Sequence, residues 1–476
     1  MASLALEPDE QPDGERADEW EQFVDGHQDK GYRSCVGTVT LVFTIVEAMP
    51  STITPIEMWP DAAMGPGTST IVHWLFAQWT MEAHLMFTST CHRAAGASRR
   101  YVMASHDGYG LGHTRRNAAI AMALLADPEA HVVLITGVAS CLPWLRHERL
   151  TVIGMPPLVK DASGAYVNPD LAFDEAIELR RQLVLDTIIE VQPHAFVIDR
   201  HPYGIALELR PAVEYARERG CRVVLGLRDI LDEPAMITQE LNGAGWADVA
   251  DLFDDVLVYG GKVLCDHAAE YGLPVTPTYV GWVAERVAVA HRDDDLVVVT
   301  GGGGGDAARL YHLIADTARH LEGSPTSHDR RFTVITGPYG CRIGDLPRSV
   351  GLVRSVDGCS AQYAEAAAVV QMAGYNSAFE ALGAGVRPIL LPRRAPRREQ
   401  AIRASRLAAL GVADMIDDET TPSELAWLLN QNRLLESGAL ARVGIRLDGA
   451  TTAAAVIAVR SRVSSKRERV YAIARW

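Results

Sequence analysis

The sequence predicts an α/β protein made of two successive units, each built around a parallel sheet. Short runs rich in valine, isoleucine and leucine alternate with helical stretches from Tyr101 onward, a pattern typical of buried parallel strands. The same alternation starts again at Asp295, after a break over 281–293. In both units the first strand runs into a glycine-rich turn and then a helix, as in folds that bind anionic ligands at this turn.

In the first unit the apolar runs predict six strands, with three longer helices between them. The strands are Tyr101–Ser105, His131–Thr136, Leu150–Gly154, Ala195–Asp199, Arg222–Gly226 and Asp255–Tyr259, and the helices are Ala118–Leu125, Leu171–Glu190 and Ala212–Arg219.

The second unit repeats this pattern with four strands and four helices. The strands are Asp295–Thr300, Phe332–Thr336, Ala368–Met372 and Pro388–Leu391, and the helices are Ala307–Leu321, Ala361–Ala366, Ser377–Ala384 and Glu399–Leu410.

These patterns divide the chain into four parts. Residues 1–98 show no α/β alternation and begin with 30 residues that carry ten acidic side chains against two basic ones, which predicts a disordered or irregular acidic extension. A Rossmann-like domain over 99–285 and a second one over 286–440 follow, and a helix with a basic tail occupies 441–476. We expect a protein that starts near residue 98 to stay soluble and active.

Composition argues against several classes of protein. A net charge of -15 over 476 residues disfavours bulk binding to nucleic acid. The seven cysteines are widely spaced and form no C-x-x-C pair, which favours reduced thiols over a disulfide framework or a zinc site. The acidic run Asp293–Asp295 is better explained as a solvated loop than as a metal ligand set, so no metal site is predicted.

The sequence predicts a cytoplasmic protein. The acidic first residues do not resemble a signal peptide. The apolar run Val36–Met49 covers about 14 residues, fewer than the roughly 20 that cross a bilayer. Polar residues interrupt the run Ile71–Phe87. The basic tail is predicted to be solvated, with weak peripheral contact to anionic lipid at the inner face of the membrane as the alternative. The oligomeric state is open.

The first glycine loop contains Gly108, Gly110 and Gly112 and runs directly into His113. Backbone N–H groups gather in a turn between a strand and a helix N-terminus, and they favour an anion there. A histidine at the mouth of the turn can move a proton near neutral pH. The spacing matches neither the dinucleotide fingerprint nor the Walker A loop. A tight turn with a structural histidine explains these residues equally well.

The second glycine loop has five glycines in a row, which would destabilise the interior of a helix or strand. The run therefore predicts a turn whose backbone approaches a ligand, and a phosphate-contacting loop is favoured over a flexible turn. Its members are Gly301, Gly302, Gly303, Gly304 and Gly305.

A third segment starts at Gly374, where a predicted strand ends and a helix follows. Asn376 or Ser377 is placed to cap this helix. Glu380 is expected near the first turn, where the helix dipole stabilises a carboxylate that can also bind a ribose diol. Dipole compensation alone is the alternative for Glu380.

A pair of polar residues, Glu399 and Gln400, opens the next predicted helix after the basic stretch 393–398. Carboxylate and amide groups together suit sugar hydroxyls, which offer both donors and acceptors. An ordinary helix start is the alternative.

Taken together, these segments resemble the GT-B glycosyltransferases, and among them the MurG-like group of family 28 with its uncharacterised predicted glycosyltransferases. The resemblance spans about residues 100–435. It implies a GT-B architecture in which two Rossmann-like domains face a central cleft. It also implies a nucleotide sugar as co-substrate and no required metal or other cofactor.

The resemblance also implies roles for particular residues. His113 would be the catalytic residue on the acceptor side, in the loop with Gly108, Gly110 and Gly112. Glu380 would hold the ribose, and the pair Glu399 and Gln400 would read the sugar. The remaining nucleotide-sugar contacts would come from Gly301, Gly302, Gly303, Gly304, Gly305, Gly374, Asn376 and Ser377.

The chain departs from the MurG pattern at several positions. Gly303 stands where the MurG type has serine, Glu399 replaces a glutamine, and Arg403 replaces an asparagine. These changes leave the base and the sugar of the donor open. Arg228 and Asp229 follow a predicted strand, where α/β folds place ligand contacts, so they are candidates for acceptor binding. A buried structural ion pair is the alternative for these two residues.

The predicted reaction is transfer of a hexosyl group from a nucleotide diphosphate sugar, a UDP-sugar by resemblance, to an acceptor hydroxyl. His113 would accept the hydroxyl proton or orient the acceptor. Backbone N–H groups of the second and third segments would stabilise the leaving diphosphate, helped by Arg393–Arg398. Two alternatives stay open. One is a nucleotide-sugar epimerase or hydrolase of the same fold, and the other is a non-catalytic nucleotide-sugar binding protein.

Overall fold

The computed structural model describes residues 98–459 with short gaps. The predicted acidic extension and basic tail lie outside the described residues and stay predictions. The described ranges are 98–105, 111–138, 145–161, 164–289, 291–303, 305–323, 330–337, 340, 344–354, 358–395 and 397–459.

The N-terminal part of the described chain, here called the N-domain, is built around a seven-stranded parallel sheet with the order β3-β2-β1-β6-β7-β8-β9, and a separate antiparallel hairpin pairs β4 with β5. The strands are β1 (Arg99–Ser105), β2 (Ala130–Thr136), β3 (Leu150–Gly154), β4 (Val159–Lys160), β5 (Tyr166–Val167), β6 (Ala195–Asp199), β7 (Arg222–Arg228), β8 (Asp255–Tyr259) and β9 (Thr278–Tyr279). The helices are α1 (Gly112–Leu124), α2 (Phe173–Val191), α3 (Arg210–Glu218), α4 (Pro234–Leu241), α5 (Val249–Leu252) and α6 (His267–Tyr271).

The C-terminal part, here called the C-domain, contains a six-stranded parallel sheet with the order β12-β11-β10-β13-β14-β15. Its strands are β10 (Asp293–Thr300), β11 (Arg331–Ile335), β12 (Val350–Val353), β13 (Ala366–Gln371), β14 (Ile389–Leu390) and β15 (Asp414–Met415). The helices are α7 (Ala308–Glu322), α8 (Ser360–Glu365), α9 (Tyr375–Gly383), α10 (Glu399–Ala409), α11 (Pro422–Leu429), α12 (Ala439–Arg442) and α13 (Gly449–Ala458). The prediction of two successive parallel-sheet units is confirmed.

The two domains belong to one compact unit, although most of the C-domain sheet packs into two apolar clusters of its own. The largest buried apolar cluster begins in the N-domain and continues into α9 and α10. Trp282, just after the N-domain sheet, stacks on Phe379 of α9 with ring centroids 4.9 Å apart. The last helix of the described residues, α13, returns to the N-domain and packs against α1. The domains are therefore joined by packed side chains as well as by the chain.

The strand order places a switch point in the middle of each sheet. From β1 the chain moves outward to β2 and β3, and β6 then lies on the other side of β1. In the C-domain, β10 is flanked in the same way by β11 and β13. Loops on the two sides of a switch point diverge and leave a crevice at the carboxyl ends of the strands. Residues that follow β1 and β6, or β10 and β13, are thus brought together there.

Most predicted helix starts lie within two residues of the observed ones, and two differences affect the candidate site. Helix α1 begins at Gly112, six residues before the predicted start, because tertiary contacts bury the polar side chains of Thr114, Arg116 and Asn117. Helix α9 has Gly374 as its N-cap, with no capping side chain. The prediction that Asn376 or Ser377 caps this helix is wrong, since both residues already lie within its first turn.

Candidate functional site

His113 is paired with Asp199 at the switch point of the N-domain sheet. His113 lies in the first turn of α1, which follows β1, and Asp199 ends the neighbouring strand β6. The distance from His113 Nδ1 to Asp199 Oδ2 is 2.6 Å. Asp199 is buried, whereas the side chain of His113 keeps 17% of its surface exposed. The pair therefore has a buried acidic end and an accessible imidazole.

The contact determines which nitrogen of His113 carries the proton. A bare Nδ1 lone pair facing a carboxylate oxygen at this distance would be repulsive, so we assign the proton to Nδ1, which then donates a hydrogen bond to Asp199. The other nitrogen, Nε2, then keeps its lone pair and can accept a proton. His113 and Asp199 thus have the arrangement of a general base and the carboxylate that orients it.

Arg116, one turn further along α1, completes the buried part of the site. Its Nη2 donates to both oxygens of Asp199 at 2.9 Å and lies 3.0 Å from Nδ1 of His113. Burial by itself would lower the pKa of Arg116, but Asp199 raises it above the ordinary value. The guanidinium also lies 5.1 Å from the ring centroid of Tyr259 and 5.2 Å from that of Tyr375. This cation is held by one carboxylate and two aromatic faces.

The first glycine loop is described only at its end. Gly108 and Gly110 lie outside the described residues, so their role stays a prediction. Gly112 is exposed, and its carbonyl accepts a hydrogen bond of 3.1 Å from Nδ2 of Asn376. A predicted donor-site residue of the C-domain therefore touches the backbone beside His113.

The second glycine loop needs glycine at two positions for different reasons. At Gly301 a Cβ would overlap with Ala307 and lie 2.5 Å from the hydroxyl of Tyr311. Gly302 has a φ of 67°, in the left-handed region, and its added Cβ would meet no atom within 4 Å. The first glycine is required by packing and the second by backbone conformation.

The same loop presents backbone N–H groups at the carboxyl end of β10. The N–H of Gly302 donates to Oγ1 of Thr300 at 3.1 Å. Among the described glycines of the loop, Gly303 and Gly305 are exposed and their N–H groups are not hydrogen-bonded. Gly304 lies outside the described residues. Exposed amides of this kind favour an anion, and the predicted phosphate contact of this loop stays a prediction.

The segment after β13 lies beside this loop because β10 and β13 are neighbours. Gly374 and the first residues of α9, including Ser377, present the N-terminus of a nine-residue helix. Glu380 lies in the second turn of α9, so dipole compensation in the first turn is excluded for it. Instead, Glu380 Oε2 accepts a hydrogen bond of 3.2 Å from the backbone N–H of Cys359. Its predicted ribose contact remains a prediction.

The polar pair at the start of α10 is buried. Glu399 Oε1 accepts a hydrogen bond of 2.8 Å from Nη2 of Arg393, and Gln400 Oε1 accepts one of 3.3 Å from the backbone N–H of Arg393. Burial would raise the pKa of Glu399, but the guanidinium groups of Arg228, Arg393 and Arg403 hold it at about 2. Its second oxygen, Oε2, is buried and has no hydrogen-bond partner in the described part of the chain. Glu399 is therefore an ionised carboxylate with one unused acceptor.

Arg228 and Asp229 end up in different environments. Asp229 is buried, and its carboxylate accepts hydrogen bonds from Nε and Nη2 of Arg403 at 3.0 and 2.7 Å. It accepts a third, of 3.2 Å, from Nε1 of Trp282. Asp229 thus forms a buried structural ion pair, the alternative to acceptor binding, and its partner Arg403 belongs to the C-domain. Arg228 Nη2 donates to the carbonyl of Leu231, and its Nε is buried without a partner in the described residues. Burial lowers the pKa of Arg228 to about 10.

Several residues of this arrangement were not predicted as site residues. Asp199 is a polar residue at the end of a buried strand, and that position is the sequence signal that could have found it. Arg116 and Tyr375 carry no such signal, because their importance comes from contacts between distant segments. His201, two residues after Asp199, has a pKa well below its ordinary value because of burial and the nearby Arg200.

The described residues contain neither a membrane-spanning helix nor a metal-binding cluster. None of its helices is both long and apolar enough to cross a membrane. Within the same residues, no group of three or more histidine, cysteine, aspartate or glutamate side chains is arranged to hold a metal ion.

Comparisons with known proteins show the fold. No protein-family model and no curated protein matches the chain. Among solved structures, the glycotransferase of kitacinnamycin aligns with a TM-score of 0.53 at 18% identity, over 75% of this chain and 98% of that one. MurG of Acinetobacter baumannii aligns with a TM-score of 0.51 at 17% identity, over 75% and 99% of the two chains.

A third similar structure is the glycosyltransferase SnogD from Streptomyces nogalater, with a TM-score of 0.50 at 16% identity over 78% of this chain and all of that one. Likeness at such identities establishes architecture. Two parallel-sheet domains in this order define the GT-B fold, and the predicted fold class is confirmed. The narrower resemblance to family 28 stays a prediction.

Proposed function

We propose that the protein transfers a hexosyl group from a nucleotide diphosphate sugar to an acceptor hydroxyl. The observation that carries this proposal is the His113–Asp199 pair at the switch point of the N-domain sheet. It is linked through Gly112 and Asn376 to the segment that follows β13 in the C-domain. A proton acceptor on one domain thus lies beside a glycine-rich, anion-favouring edge of the other.

In this reaction the acceptor O–H bond breaks and its proton moves to Nε2 of His113. The acceptor oxygen forms a bond to the anomeric carbon, and the bond from that carbon to the diphosphate oxygen breaks. The electron pair of the broken bond stays on the diphosphate. Asp199 orients the imidazole and stabilises the imidazolium that forms, and general-base assistance of this kind contributes roughly 10²–10⁴-fold in rate.

The leaving diphosphate would be stabilised by backbone amides. Gly303 and Gly305 offer exposed N–H groups, and the first turn of α9 offers further unsatisfied ones. Arg393 lies at the same edge, where it bridges Asp306 and Glu399 at 2.7 and 2.8 Å. Fixed donors of this kind stabilise developing negative charge without reorganising.

The unused oxygen of Glu399 and the buried Nε of Arg228 suit the sugar. The first is an acceptor and the second a donor, and each lacks a partner in the described residues. A sugar hydroxyl can satisfy both kinds of group. Both atoms are buried in this structure, so we propose that donor binding moves these side chains into contact with the transferred hexose and that UDP is the first nucleotide to test.

The experiment is a screen of nucleotide sugars by thermal stabilisation, followed by product analysis with the donor that binds. A donor at about 100 times its Kd stabilises the protein by about 2.7 kcal/mol. Transfer predicts that nucleoside diphosphate is released only when an acceptor is present. Release without acceptor would indicate a hydrolase, and a changed sugar without release would indicate an epimerase. Binding with no turnover of any acceptor would indicate a binding protein.

The proposal also predicts that chelation leaves the reaction unaffected, because amides and guanidinium groups carry the leaving-group charge. Turnover in EDTA should stay within about twofold of turnover in buffer, whereas a metal-dependent transferase would lose several kcal/mol of stabilisation. The measurement is the initial rate after dialysis against EDTA. Restoration of a lost rate by Mg²⁺ or Mn²⁺ would refute metal independence.

A further inference from the structure

Two consecutive residues of the C-domain touch the two sides of the His113–Asp199 pair. Asn376 Nδ2 donates to the carbonyl of Gly112, the residue before His113, at 3.1 Å. The ring of Tyr375 lies 5.2 Å from the guanidinium of Arg116, which pairs with Asp199. Both residues belong to the first turn of α9.

Arg116 lies beside two aromatic rings in addition to its carboxylate partner Asp199. Its side chain is 2% exposed, and its Nε is buried without a hydrogen-bond partner in the described residues. Its Nη2 donates hydrogen bonds to Asp199, and two aromatic rings lie near the guanidinium. One ring, Tyr259, comes from the N-domain, and the other, Tyr375, comes from the C-domain. The N-domain alone therefore supplies only one of the two rings.

Tyr375 is itself held at the domain junction. Its hydroxyl accepts a hydrogen bond of 2.9 Å from the backbone N–H of Val283, in the segment that joins the two sheets. Its ring packs against Phe379, which stacks on Trp282. A change in how the domains meet would move Tyr375 relative to Arg116.

We propose that Tyr375 and Asn376 are positioning residues through which docking of α9 on the N-domain assembles the His113–Asp199 pair. The inference rests on the proposed function in taking His113 as the base. Because the same first turn of α9 lies in the proposed donor site, activation of the acceptor is coupled to the state of that site. A base formed only in the docked arrangement restricts proton removal to complexes in which donor and acceptor can react.

The test uses a property of the pair that needs no turnover. In protein labelled with [¹⁵N]histidine, the Nδ1 proton of a histidine bonded to a buried carboxylate gives a downfield resonance that exchanges slowly with water. His113→Ala identifies this resonance by its loss. We expect Tyr375→Leu to abolish it and Tyr375→Phe, which keeps the ring, to retain it.

Activity provides the second readout. A misplaced base lowers turnover, so Tyr375→Leu should reduce kcat by about 10- to 100-fold with the KM for the donor within about threefold. Tyr375→Phe should recover most of the loss. A role in folding alone would lower the melting temperature of Tyr375→Leu and leave the resonance and kcat of the folded protein unchanged.

Two further variants keep the test decisive. Asn376→Ala removes a partly exposed side chain and is expected to weaken the same resonance, which covers the case in which Tyr375→Leu does not fold. Glu270→Gln is the matched control, because it breaks a different interdomain ion pair, to Arg406, at 2.6 and 3.0 Å and should leave the resonance intact. An unchanged resonance in folded Tyr375→Leu or in Asn376→Ala would overturn the proposal. If wild-type protein transfers no sugar but the resonance responds as expected, the proposed function fails and the positioning role stands.

Discussion

At the residue scale, the central feature of the site is one buried carboxylate, Asp199, that has two hydrogen-bond partners. Asp199 is fully buried and accepts from both His113 and Arg116, so one carboxylate orients the imidazole while it neutralises the guanidinium. A buried charge without a partner is costly. Asp199 therefore orients the side chain that we propose as the base, His113, and neutralises the buried guanidinium of Arg116.

This division predicts different behaviour for two variants. His113→Ala should lower kcat by roughly 10²–10⁴-fold with little change in stability, since its ring is partly exposed. Asp199→Asn should lower kcat and also destabilise the fold by about 3 kcal/mol, because Arg116 stays buried without a counter-charge. Initial rates and urea unfolding measure the two effects. Equal stability of both variants would contradict this account.

Glu399 makes the stability of the fold depend on acidic pH. Its pKa is 4.5 in a free side chain and about 2 in the fold, where Arg228, Arg393 and Arg403 overcome the effect of burial. A depressed pKa stabilises the fold above pH 4.5, and this contribution is lost as the pH falls from 4.5 through 2.

Between pH 6 and pH 3, protonation of Glu399 should lower the free energy of unfolding by about 2 kcal/mol. The measurement is urea unfolding at both pH values for wild type and for Glu399→Gln, which cannot titrate. The variant should lose about 2 kcal/mol less than wild type over this range. Parallel losses would show that Glu399 is not ionised in this way.

At the scale of elements, each domain has a strand-to-helix turn after one central strand of its sheet, beside the switch point. The structure describes only the end of the first turn, where exposed Gly112 begins α1, whereas Gly302, Gly303 and Gly305 of the second turn are described and exposed. Parallel topology makes this edge concave, and glycine lets the backbone itself form its surface. The described part of the second loop shows two separate uses of glycine, which a matched pair of variants can distinguish.

Gly301→Ala should destabilise the C-domain by about 3 kcal/mol, since its methyl group would displace Ala307 and Tyr311. Gly302→Ala should cost only about 1 kcal/mol, the price of a left-handed alanine. Its methyl group would project into the open space in front of the loop, so donor affinity should fall by at least about tenfold. Thermal unfolding with and without donor measures both effects. If Gly302→Ala binds the donor with unchanged affinity, the loop is not part of the donor site.

At the scale of the whole molecule, a buried ion pair connects the domains. Arg403 of α10 makes two hydrogen bonds to Asp229 at the end of β7 and a third, of 2.8 Å, to the carbonyl of Ala373. Trp282 donates to the same carboxylate. Together with the apolar cluster that continues from the N-domain into α9 and α10, this network joins the two domains, so we expect them to unfold as one unit.

Asp229→Asn and Arg403→Met should each destabilise the protein by about 3 kcal/mol, because each leaves its partner buried and unpaired. The double variant should lose clearly less than the sum, since no lone charge remains. Wild type should unfold in a single transition when followed by calorimetry. Strictly additive losses would show that the two residues do not act as a pair.

Much of the fold was predictable because buried parallel strands have a local signature. The predicted strand His131–Thr136 corresponds to β2 and Ala195–Asp199 to β6, almost residue for residue. Very short elements such as β14, β15 and the β4–β5 hairpin carry too few residues for any period to show. Helix starts were less accurate, because burial of polar residues in α1 is decided by other segments.

The candidate site likewise has a part that local sequence predicts and a part that depends on tertiary contacts. The sequence by itself determined the two α/β units, the glycine loops and His113, because turn chemistry and apolar runs act over a few neighbouring residues. Only the tertiary structure decided that His113 meets Asp199, that Asp229 is paired with Arg403, and that Tyr375 covers Arg116. Those contacts join residues 86, 174 and about 260 positions apart, and they depend on strand order and domain contact. No local pattern encodes such distances, since a buried charge finds its partner in space and not along the chain.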